Sequence, residues 1–160
     1  MFYSKIDPLY APRRVIYAHA MVRDEDGYVL QATDSPVADD NAWHLLVQAV
    51  EPNQAPHEIA RSVAESQTGL TIGTSTLLVL DLVRPTKESA QALHLVFDCG
   101  RCTEDQVLEL GLPEGTEREG NMRWVHPDTL RRGDDRLHAA LERLTDPFAP
   151  FFLADGQPTT

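Results

Sequence analysis

The stretch QAVEPNQAPHEIARSVAESQTGL, residues 48–70, is punctuated as an extended segment, a turn and one helix. Pro56 suits the first turn of a helix, where a backbone N–H has no intrahelical partner to lose. Gly69 supplies the left-handed residue that stops one. The spacing therefore predicts a helix over 56–68. Glu58 and Glu65 are seven apart on one face of it, with Arg61 between them at bridging distance from both. Val63, Ser66 and Gln67 cluster on another face, roughly 120° to 140° away. The acids read as a solvated ion-pair face.

Working outward, Arg14–Val22 (RVIYAHAMV) is rich in β-formers and reads as a buried strand. Asp26-Gly27 is a hairpin signal, and 28–32 is the returning strand. Residues 33–42 read as a loop and Trp43–Val50 as extended and apolar. Strands follow at 77–83 and 92–99, then a polar loop or irregular element over 103–120, and a further strand at 122–125. HPDTL opens a turn. DDRLHAALERL, 134–144, is an amphipathic helix with Leu137, Leu141 and Leu144 on one face. The order predicts an α/β (α+β) sandwich, a mixed sheet flanked by the 56–68 helix and a C-terminal helix. One domain is expected over 1–145, with 146–160 a phenylalanine-rich tail that ends loosely and offers a surface for a homodimer.

The chain has 160 residues, 42% hydrophobic and 24% charged, which suits one soluble core. No apolar run approaches the roughly 20 residues that span a bilayer. MFYSKIDPLYAPRR lacks the apolar centre of a signal peptide, so a cytoplasmic protein is expected. A net charge of −11 with scattered basic residues argues against a nucleic acid polymer as partner. The two cysteines, Cys99 and Cys102, form one Cys-x-x-Cys with no second pair to complete a zinc site, and read as plain thiols at a strand end.

The central stretch resembles the Nudix hydrolase family. That family's box runs GX5EX7REUXEEXGU, with U a bulky aliphatic residue, and a common lead-in is WxLPGGGVEPGE. Here the lead-in is WHLLVQAVEPNQ from Trp43, and APHEIARSVAESQTGL stands against SPxEAAxREVxEETGL. Trp43, Leu45, Val50, Glu51, Pro52, Pro56, Glu58, Ala60, Thr68, Gly69 and Leu70 fall in register without a gap. The resemblance implies the Nudix fold, with a pocket between the sheet and the box helix.

The departures fall on the chemistry. The box glycine is Ala49, the first glutamate Gln54, the Arg-Glu pair Ser62-Val63 and the Glu-Glu pair Ser66-Gln67. In the family those acids hold divalent cations, and magnesium wants hard oxygen ligands. No metal or cofactor is expected, with magnesium or manganese only if Glu58 and Glu65 form a relocated site.

His19, Asp81 and His94 are the candidate acid–base groups of that pocket. Each also has a plain reading, as a core histidine or a hydrogen-bonded carboxylate. Candidate ligand-binding residues are Trp43, His44, Gln54, Val63, Ser66, Gln67, Arg84 and Glu117. Glu117 sits with Glu114 and Glu119 in an acidic loop that also reads as merely solvated. Two functions stay open. One is a non-hydrolytic protein binding a small molecule, nucleotide-like or a pathway intermediate. The other is metal-independent acid–base chemistry of isomerase, cyclase or lyase type. Residual hydrolysis of nucleoside diphosphate derivatives is a weaker third.

Overall fold

Alternation in RVIYAHAMVR sorts its side chains to two faces, and the strand it forms, β1 (Arg14–Arg23), lies mid-sheet. The computed structural model of the chain describes residues 13–34, 42–111, 122–129 and 135–159. After β1 come β2 (Val29–Ala32), β3 (Leu46–Val50), α1 (Pro56–Thr68), β4 (Thr76–Val83), β5 (Gln91–Arg101) and α2 (Glu104–Leu110). The chain continues through β6 (Met122–Val125), a 3-10 turn at Pro127–Thr129, α3 (Asp135–Thr145), β7 (Phe152–Ala154) and β8 (Gln157–Pro158). The strands form one mixed sheet in the order β6-β2-β1-β5-β4-β7-β8, with β3 branching from β1. The β1–β5 and β4–β7 pairs are parallel, and the other strand pairs antiparallel. The expected α+β sandwich with a helix on each side of a mixed sheet is what forms.

One face carries α1. Ala18, Ala20 and Val22 of β1, Leu46 of β3 and Leu95 and Phe97 of β5 pack with Ala60, Val63 and Ala64. The other face carries α3, where Met21, Val79, Val96 and Leu153 pack with Leu137 and Ala140. Helix α1 has the expected bounds. Gly69 closes it at φ 72, its amide donating to the Glu65 carbonyl at 2.8 Å. A side chain there meets no atom within 4 Å but is held in the left-handed region. Gly69→Ala should therefore cost about 1 kcal/mol from backbone strain alone, read as a lower urea midpoint at unchanged slope.

Two expectations are corrected. The 103–120 segment begins as a helix: Thr103 accepts the Gln106 amide while the Gln106 side chain accepts the Thr103 amide, a capping box that starts α2. The sheet also runs past 145. Leu80–Leu82 pair in parallel with Phe152–Ala154, and Asp155-Gly156, both at positive φ, turn β7 into β8. The tail is anchored by Leu153 and Ala149, both buried, while Phe148 is 93% exposed. Among the described residues no helix is long and apolar enough to cross a membrane.

Candidate functional site

Helix α1 and the strand before it form the frame of the expected pocket. Val47, Gln48 and Ala49 are paired with His19, Ala18 and Tyr17 as regular antiparallel strand. All three residues carry a Cβ, and the chain runs straight through them as strand. Gln54 closes the turn before the helix: its side chain accepts the Glu51 amide at 2.9 Å, and its own amide donates to the Glu51 carbonyl at 3.0 Å.

Along α1, Val63 is 3% exposed and belongs to the core. Ser66 and Gln67 flank it and are exposed, and the Ser66 hydroxyl donates to the Val63 carbonyl at 3.2 Å. Glu65 does not serve an ion-pair face with Arg61. Its carboxylate accepts the Ile72 amide at 3.0 Å, which ties down the chain beyond Gly69. This donor set does not fit a hard divalent cation: one position is hydrocarbon, two are neutral, and the adjacent acid is held by a backbone amide. Among the described residues no group of three or more His, Cys, Asp or Glu is placed to hold a metal ion.

The expected acid–base residues assemble, but on the other face. Ala18 and Ala20 pack toward α1, so His19 and Tyr17 turn toward α3. By the same alternation His94, between Leu93 and Leu95, and Asp81, between Leu80 and Leu82, also face α3. His19 Nε2 and His94 Nδ1 share a hydrogen bond of 2.8 Å. Tyr17 stacks on His94 with ring centroids 4.9 Å apart and 17° between planes. Asp81 lies opposite His94 in the β4–β5 ladder and is fully buried. Its Oδ2 takes the Arg136 Nε–H at 2.5 Å, and its Oδ1 accepts the Gly156 amide at 2.9 Å.

Burial and the Arg136 guanidinium both disfavour imidazolium here. Burial, His94 and then Arg136 lower His19 to about 3. Burial and then Arg136 lower His94 to about 4, against a smaller opposing pull from Asp81. Both rings are neutral at pH 7. One ring of the pair therefore donates and the other accepts. Above pH 6.5 they are neutral in the folded and the unfolded chain alike. As pH falls below 6.5 the unfolded chain takes protons that the fold refuses until about pH 4 and 3, so stability should drop. Urea midpoints at pH 7 and pH 4.5 should differ more for the native chain than for His19→Gln/His94→Gln.

The remaining candidates are spread. Trp43 is buried under the Arg123 guanidinium, 4.3 Å from its ring centroid, and Arg123 also donates to Gln31. His44 Nδ1–H donates to the Leu45 carbonyl at 2.7 Å. Arg84 is in an exposed 2.7 Å ion pair with Asp155. Glu117, with Glu114 and Glu119, lies outside the described residues. Sequence reasoning missed Arg136, the partner that holds Asp81, because only the folded chain brings residues 55 apart together. The Asp155-Gly156 signal that places the second partner of Asp81 was in the sequence.

No family model matches the sequence, and none of the curated proteins does. Solved structures match the fold. A mutT/nudix family protein from Listeria innocua aligns at TM-score 0.56 and 13% identity over 83% of this chain and 95% of its own. A NUDIX hydrolase from Nitrosomonas europaea aligns at 0.55 and 12% over 83% and 90%. A UDP-X diphosphatase aligns at 0.60 and 14% over 91% of this chain and 70% of its own. Identities this low speak for the fold alone: the chain has a Nudix-like fold.

Proposed function

We propose that this Nudix-fold chain is a small-molecule binding protein that does not hydrolyse diphosphates. The observation that carries the reading is α1 itself. Val63 is buried where the family's box places a glutamate, and Ser66 and Gln67 are neutral where it places two more. A diphosphate held without cations would keep its full charge next to a protein of net charge −11, an unfavourable encounter. A less charged ligand removes that conflict. The proposed contact groups are the half-buried Tyr17, His19 and His94 on the α3 face, which offer a flat ring and neutral nitrogens of both donor and acceptor character.

The second reading, metal-independent acid–base chemistry, is favoured by one observation: the 2.8 Å contact between the imidazoles lets a proton enter at one ring and leave at the other. It is the weaker reading. Asp81, the carboxylate that would assist such a pair, is engaged by Arg136 and Gly156. Rings lowered to about 3 and 4 are also poor bases at neutral pH.

The test is a panel of nucleoside diphosphate derivatives and their neutral nucleosides, with excess magnesium or manganese. Phosphate release after added phosphatase is followed beside the ¹⁵N shifts of the His19 and His94 rings. Binding without turnover, seen at the rings, is expected. Metal-dependent turnover lost in Glu58→Gln and Glu65→Gln would mean that the cation site has moved onto those acids, and would end the proposal.

A further inference from the structure

In a regular strand, residues three apart point to opposite faces. Cys99 and Cys102 do not. Gly100, between them, has φ +94, and the β1–β5 register slips in the same place, where Arg23 comes opposite Arg101. The slip is pinned by the Cys102 amide, which donates to the Arg23 carbonyl at 2.7 Å. The left-handed glycine turns the chain over, so that both thiols enter the core on the α1 side, each 3% exposed. Both wall one cavity of about 250 Å³, lined also by residues 70–74 and Gln106.

We propose that Cys99 and Cys102 form a two-sulfur site for a soft monovalent metal ion of the Cu(I) or Ag(I) kind. Thiolates are the soft donors that select such ions. Zinc needs four ligands, and no cluster of three or more ligating side chains exists among the described residues. A two-coordinate ion needs only the pair. The ion has protons to displace, because the surroundings disfavour bare thiolates. Burial and then Asp98 push Cys99 up to about 12, Arg61 opposing, and burial and then Asp24 raise Cys102. Binding forms two metal–sulfur bonds, breaks two S–H bonds and releases two protons to solvent, with no change of oxidation state. Coordination removes the protons that the local field otherwise keeps in place. The site is separate from the imidazole pair and does not depend on the function proposed above.

The test titrates the native chain with Ag(I), and with Cu(I) under anaerobic conditions against a chromogenic chelator. One ion per chain is expected, with affinity falling about a hundredfold or more in Cys99→Ser and in Cys102→Ser, since a two-ligand site has none to spare. Circular dichroism checks that the variants fold. A second measurement needs no variant: one equivalent of Ag(I) should abolish the S–H stretch of both thiols in the infrared spectrum of the native chain. Single-serine variants that bind as the native chain does, or S–H stretches unchanged by Ag(I), would overturn the proposal.

Discussion

Arg136→Met should destabilise the fold by about 3–5 kcal/mol, because it leaves the fully buried Asp81 carboxylate without its cation. The loss is asymmetric across the pair. The Arg136 side chain is 31% exposed and can turn toward water, whereas Asp81 is 0% exposed and cannot. Asp81→Asn should therefore cost less, about 1–2 kcal/mol, since an amide oxygen still accepts the Gly156 N–H and no charge is stranded. Urea denaturation of the two variants in one buffer reads the difference directly. Equal losses would mean that the pair is more open to solvent than its burial implies. The pair also joins three elements: Asp81 on β4, Arg136 on α3 and Gly156 in the β7–β8 turn. The variant should for this reason loosen the C-terminal strands first, and amide exchange over residues 152–158 would report it.

Val63→Glu, the substitution that places in α1 an acid that the Nudix box carries, should cost about 3 kcal/mol or more. Val63 is 3% exposed and packs with Ala60, Ala64 and the sheet, so a carboxylate there is buried without a partner. Ser66→Glu and Gln67→Glu lie on the exposed side and should shift stability by no more than about 0.5 kcal/mol. Thermal melts of the three single variants test the order. If Val63→Glu is as stable as the other two, the helix has room to roll, and the frame could still take up a cation. If the expected order holds, the core around Val63 has no room for a carboxylate, and no single substitution of this kind makes a cation site there.

Much of the architecture was legible in the sequence. Pro56 and Gly69 bound α1, alternation in RVIYAHAMVR gave β1, and the spacing of Leu137, Leu141 and Leu144 gave α3. Local signals at 103–106 and 155–156 were as clear, though their surroundings masked them. TEDQ stands in an acidic, glycine-rich context, and Asp155-Gly156 sits in a segment that reads as a tail. Its strand forms only because β4 offers a free edge to pair with.

The candidate site was half legible. His19, Asp81 and His94 were singled out because a polar group in an apolar strand needs a partner, and each has one. Their face was another matter. They were expected beside α1 and lie beneath α3. A period of two says that His19 and Ala18 point apart, but not which of them a helix will cover. The sequence by itself determined the frame of α1, the neutral and apolar residues along one face of it and the sorting of each strand into two faces, because these depend on neighbours a few residues away. Tertiary structure alone decided that His19 meets His94 across 75 residues, that Arg136 is the partner Asp81 required, and that Cys99 and Cys102 share one cavity. Each of these rests on sheet register, on a register slip or on the packing of a distant helix, and no local signal in a single chain encodes them.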